Sequence, residues 1–197
     1  MMLKQRFFHK KQFFELKDNE IFISMKQLGN STEYSIKYED ILANKYHIKS
    51  SNMVLFSFSI FFIVFFMINF ALNYNVDETN LVVSFLWLFA GLVFLGAAIN
   101  SHENVWNVPT ATNQKLKFYF NSPNQLEVND FIDELFRKRD EYLDSTYGKI
   151  NPNLAYDIQF NNFSWLKNIQ AISHDNYNLK IKNLDEIFKN QSNKIGF

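Results

Sequence analysis

Four histidines are the first places to look for acid–base or metal chemistry: His9, His47, His102 and His174. Each lies in a different stretch of the chain, and no two have the spacing of a ligand pair. His102 and Glu103 are neighbours beside an apolar run and read as an interfacial polar pair. The chain has no Cys, which removes a thiolate nucleophile, a disulfide framework and any Cys-ligated metal. The densest group of ionisable residues is Asp130, Asp133, Glu134, Arg137, Lys138, Arg139, Asp140 and Glu141. Paired carboxylates can exchange protons with a substrate. Here they alternate with cations at i,i+3 and i,i+4, the pattern of a solvated helix face. No phosphate loop, HExxH or GxSxG pattern occurs, and five Gly do not suggest a nucleotide cradle. The inventory predicts no catalytic residue, no cofactor and no metal, so the chain is not expected to be an enzyme.

What the composition does carry is a membrane signal. The 197 residues hold 20 Lys+Arg against 20 Asp+Glu, a balance that argues against a nucleic-acid partner and against an acidic disordered tail. Mean hydropathy is −0.20, as for a soluble domain. Yet aromatics are 18% of the chain, with 23 Phe, and the apolar residues are concentrated in two windows. Residues 53–72 read MVLFSFSIFFIVFFMINFAL and residues 81–100 read LVVSFLWLFAGLVFLGAAIN, neither with a charge. Each is long enough, at 1.5 Å per residue, to cross the roughly 30 Å hydrocarbon layer. The linker Asn73–Asn80 is short enough to force a helical hairpin over residues 53–100.

All twenty Lys and Arg lie outside that hairpin, nine before it and eleven after. The positive-inside rule then places both termini in the cytoplasm. Tyr74 on the outer side, with Tyr46 and Trp106 on the inner side, are candidate interfacial anchors. Trp87 lies deeper, at a position to pack against the other span. Among polar residues in the spans (Ser57, Ser59, Asn69, Ser84), Asn69 is the main candidate for a helix contact. Ala90, Gly91, Gly96 and Ala97 give the second span a small-residue surface for close packing.

The flanking pieces must position whatever function there is. Residues 12–50 alternate with period two: Ile21/Ile23/Met25, then Tyr34/Ile36/Tyr38, then Tyr46/Ile48. Turn signals at Lys17–Asn19 and Leu28–Ser31 separate these runs, predicting consecutive antiparallel strands. Residues 38–41 make a bend. After the hairpin, Val105–Val108 and Lys115–Phe120 read as strands. Asn124 with Glu127 forms a capping-box signal, and Val128, Phe131, Ile132, Leu135, Phe136, Tyr142 and Leu143 make one helical stripe. The leading segment, with Lys4, Arg6, Lys10 and Lys11 among Phe7, Phe8, Phe13 and Phe14, suggests a membrane-surface helix or strand. An anionic leaflet attracts each such cation by about 1 kcal/mol.

Strands then a closing amphipathic helix, together with Tyr34-Ser-Ile-Lys-Tyr-Glu-Asp-Ile41, resemble the bacterial pleckstrin-homology-like (PH-like) group. The resemblance implies a small antiparallel β domain, split into residues 12–50 and 105–143, with the two-helix transmembrane hairpin inserted. Six strands are visible against the seven of the full fold, so a smaller split sheet with one helix stays open. Residues 150–189 read as a helical tail, with short helices divided at Ile172-Ser173. This resembles the short C-terminal helical-hairpin modules of bacterial membrane proteins, here over Phe163–Phe188. That likeness implies a protein-contact or oligomerisation role for Phe163, Trp165, Leu166, Tyr177 and Leu184. Residues 190–197 are expected to be disordered.

The expected fold is therefore membrane α+β. The expected location is a bacterial inner membrane, multi-pass, with the lipid bilayer and a protein partner or a second copy as partners. The expected role is a non-enzymatic adaptor or assembly protein; a small subunit of an oligomeric channel, transporter or effector complex is the alternative.

Overall fold

The computed structural model describes residues 1–73 and 78–195, with side chains described for 1–72 and 82–189. The fold is mixed α+β, with two antiparallel sheets and two long apolar helices. The chain forms two compact units: Met1–Tyr46 with Trp106–Phe197, and His47–Val105.

Four strands make a meander in sequence order: β1 (Met2–Phe7), β2 (Lys10–Leu16), β3 (Glu20–Gln27) and β4 (Asn30–Lys37). The alternation seen in sequence sets their faces. Leu3, Phe14, Leu16, Ile21, Ile23 and Ile36 point into the core, while Lys4, Arg6, Lys11 and Lys26 point out. A turn of 3-10 helix (Tyr38–Asp40) takes the place of the expected bend. Of the helix or strand expected for the leading segment, the structure shows strand. It is the first hairpin of the sheet, and the domain begins before residue 12. Its turn was invisible in sequence because Phe8-His9 carries none of the usual turn residues, although Phe8 sits at φ 53.

The turn between β3 and β4 has the same character. Leu28 (φ 47) and Gly29 (φ 86) are both left-handed, as a two-residue type I′ hairpin requires. Glycine adopts this freely; leucine pays a steric penalty and exposes most of its side chain. Leu28→Asn is expected to raise the unfolding free energy by about 1 kcal/mol. A higher denaturant midpoint at unchanged slope would register it, and an unchanged midpoint would contradict it.

The second sheet contains β5 (Tyr46–Ser50), β6 (Glu103–Pro109) and β7 (Lys115–Tyr119), in that order. Among the described residues there are seven strands, against the six visible in sequence. One core joins residues from both sides of the apolar hairpin: Phe14 packs its ring 4.6 Å from Phe118 and 6.2 Å from Phe131. The helix α3 (Gln125–Tyr147) closes that core with Val128, Phe131, Ile132 and Leu135, all fully buried. It starts where the capping signal placed it, the Asn124 side chain accepting from the Glu127 N–H at 2.9 Å.

The free edge of β1 is capped by side chains. Gln5 Nε2 donates to the Tyr119 carbonyl (2.9 Å) and to that of Ser122, and its Oε1 accepts from Tyr119 N–H (3.0 Å). Ser122 Oγ accepts from Arg6 N–H and donates to the Arg6 carbonyl.

In the other unit, α1 (Met53–Asn73) packs on α2 (Glu78–Asn100) through an aromatic seam. Phe62 stacks on Trp87 at 5.7 Å and on Phe94 at 5.3 Å, and Phe65 meets Trp87 edge-on at 5.0 Å. The Phe surplus is thus partly spent between the helices.

The tail consists of α4 (Tyr156–Asn168) and α5 (His174–Ile195). Ser173 caps α5, its Oγ accepting from Asn176 N–H at 3.1 Å. Two expectations are corrected. The first tail helix starts at Tyr156, earlier than the Asn161 start read from sequence. The disorder expected from residue 190 gives way to helix as far as Ile195.

Candidate functional site

The apolar hairpin is the first candidate, because its surface has no other use in the described chain. Both helices are long and apolar enough to cross a membrane. Only 6% and 17% of their apolar windows are buried, which is not how a soluble core helix behaves. The small residues divide into two groups. Gly91 faces α1: a Cβ there would lie 2.8 Å from Ile63 Cγ1 and 3.4 Å from the Ser59 carbonyl oxygen. Gly96 has open space where its Cβ would be, and Ala97 is exposed. Ala90 is half-buried. The Asn69 Nδ2 donates to the Phe65 carbonyl one turn back, at 2.9 Å. Ser59 and Ser84 are buried.

The anchor residues separate. Tyr74 lies outside the described residues. Tyr46 is 37% exposed, with Lys115 Nζ 5.9 Å from its ring centre. Trp106 is partly buried against the protein core, its ring 5.9 Å from that of Phe120 and tilted to it, with Lys45 Nζ 5.4 Å from its ring. Its alternation with core-facing Val108 on the same strand carries it inward.

The ionisable stretch of α3 contains one surprise. Arg137 pairs with Glu134 and Glu141, and Lys45 reaches Asp133 at 2.9 Å, all at exposed or half-exposed positions. Arg139, assigned with them to a solvated face, is instead completely buried. Its Nε donates to the Ile41 carbonyl at 2.6 Å, and its Nη2 donates to the Ile169 carbonyl at 3.0 Å. The Nη1 pairs with Asp140 at 2.5 Å. Burial pulls the Arg139 pKa down, with Asp140 opposing; burial also pushes Asp140 up, with Arg139 opposing. A planar fork with several donors suits this junction of three backbone segments. The signal was present in sequence: Leu135, Arg139 and Leu143 are spaced by four, and both leucines are fully buried.

Nearby, Glu39 Oε1 accepts from Tyr142 Oη (3.1 Å) and Tyr147 Oη (3.3 Å). The bond to Glu39 raises the Tyr142 pKa, and burial followed by Glu39 raises that of Tyr147.

On the outer face of the four-stranded sheet, Arg6, Lys11 and Lys26 stand directly opposite one another on β1, β2 and β3. Like charges so placed repel. With Lys4, Phe13 and Phe22 they line an open basin of about 720 Å³. The surface is cationic with an aromatic floor, a form that favours anionic surroundings.

The tail residues expected to contact a partner all belong to one apolar cluster within the chain. Phe163, Leu166 and Leu184 are fully buried, and Tyr177 and Trp165 pack on the same cluster, which includes Leu143 of α3. Tyr147 meets Trp165 edge-on at 5.2 Å. The stripe was read correctly as apolar, but α3, α4 and α5 use it among themselves.

His47 Nε2 lies 2.6 Å from Asn104 Oδ1. Among the described residues no cluster of His, Asp and Glu could hold a metal ion. No protein-family model, curated protein or solved structure matches the chain.

Proposed function

We propose that this chain is a membrane-anchored, non-enzymatic adaptor or assembly protein. It holds a small β domain at the cytoplasmic face of a bacterial inner membrane for contact with a protein partner or a second copy. The observation that carries the reading is the exposed apolar hairpin inserted in a domain whose one core draws on residues before and after it. A hairpin so placed enters the bilayer and returns to the same side, and the exclusion of Lys and Arg from residues 53–100 supports the cytoplasm as that side. Four strands, then three, then a closing amphipathic helix support a PH-like domain. The cationic outer face favours an anionic leaflet nearby. The tail helices contribute to the domain's own packing.

The absence of native Cys makes the topology directly testable. A single Cys introduced by Thr79→Cys is expected to react with a membrane-impermeant maleimide in intact cells. One introduced by Asn151→Cys is expected to react only after permeabilisation. The reverse pattern, or recovery of the chain in the soluble fraction, would overturn the reading.

A further inference from the structure

The two edges of the four-stranded sheet are treated differently. On β1, Arg6 is one of the residues whose backbone points away from β2, and Ser122 satisfies both its N–H and its carbonyl. On β4 the outward groups can be identified from the register. Tyr38 N–H donates to the Asn19 carbonyl, so the pairs Ile36–Ile21 and Tyr34–Ile23 are the hydrogen-bonded ones. Ser31, Glu33, Ser35 and Lys37 therefore direct their N–H and C=O groups away from β3. The strand runs from Asn30 to Lys37 in unbroken register, with neither a bulge nor a proline. Those are two of the devices that normally protect such an edge.

We propose that two copies of this chain pair antiparallel through their β4 edges, with Ser35 on the two-fold axis. This rests on the assembly reading above and names its surface. In that register Glu33 of each copy stands opposite Lys37 of the other. Tyr34 stands opposite Ile36 on the inner face, so both cores continue across the join. The charges also choose the register. A shift that puts Glu33 opposite Glu33, or Lys37 opposite Lys37, is repulsive. Within the chain Glu33 accepts from Ser24 Oγ at 3.1 Å, and Lys37 sits across from Glu20; both remain exposed. A pairing this short makes a small interface. Confinement of both copies to one bilayer raises their effective concentration and compensates.

The full chain in lipid vesicles, its copies labelled with donor or acceptor dye, would be followed by resonance energy transfer over a range of protein-to-lipid ratios. A reversible dimer is expected. Glu33→Lys and Lys37→Glu, each alone, place like charges opposite one another twice and are expected to weaken it about tenfold. An equimolar mixture of the two variants is expected to regain wild-type affinity as a heterodimer, a rescue that an intrachain role for either residue could not produce. Ser35→Pro is expected to abolish pairing with an unchanged circular dichroism spectrum, because its N–H is not used by β3. A dimer indifferent to all three substitutions would overturn the β4 edge and leave the assembly reading standing. A chain that stays monomeric, or whose edge binds only a different protein, would overturn self-pairing altogether.

Discussion

Replacing Arg139 by Ala is expected to lower the unfolding free energy by about 3 kcal/mol, or roughly 10 °C in melting temperature. The side chain is fully buried and bonds to two backbone carbonyls and a carboxylate from separate parts of the chain. Truncation leaves the Ile41 and Ile169 carbonyls without these donors and Asp140 without its counter-ion. Arg139→Lys should recover only part of the loss. One ammonium cannot span both carbonyls as the guanidinium does. The Ile169 carbonyl lies just after α4, so the Ala variant should also cut faster under limited proteolysis in the 148–155 connection. Equal stability and equal cutting would remove Arg139 from this role.

Alkaline titration gives the second large effect. Tyr38 is fully buried and donates to the Lys17 carbonyl at 2.8 Å. Burial, assisted by Asp18, Glu134 and Glu20, pushes its pKa from 10.0 up to about 12. Between those values the unfolded chain loses the phenolic proton while the folded chain keeps it. The folded state then binds more protons, so stability falls as pH rises. The contribution is complete below pH 10 and lost by about pH 12, a fall of about 2–3 kcal/mol from this residue. Tyr38→Phe should begin about 1 kcal/mol less stable, because the Lys17 carbonyl loses its donor. It should then lose less over the same interval. Chemical denaturation at pH 9, 10, 11 and 12 would compare the slopes, and parallel slopes would refute the assignment.

Much of this architecture was legible in the residues. The two apolar windows, the period-two runs and the Asn124 cap each reflect a local rule acting alone. The misses came where a second element decided the outcome. Phe8-His9 turns the chain because strand pairing on either side holds Phe8 at φ 53, not because its residues favour a turn. Arg139 is charged, and only the arrival of Ile41 and Ile169 makes its burial tolerable. The tail stripe was apolar as read, but sequence does not say whether such a stripe meets a partner or its own helices.

The placement of the hairpin has a consequence for synthesis. During translation the first five strands emerge before the hairpin, while β6, β7 and α3 follow it. Ile21, Ile23 and Ile36 must therefore wait for Phe118, Phe131 and Leu135, roughly a hundred residues later, before the core can close. The hairpin, joined by local contacts alone, can be complete first. Pairing of α1 with α2 can thus precede closure of the core, and the four-stranded sheet waits for its lid until α3 has emerged.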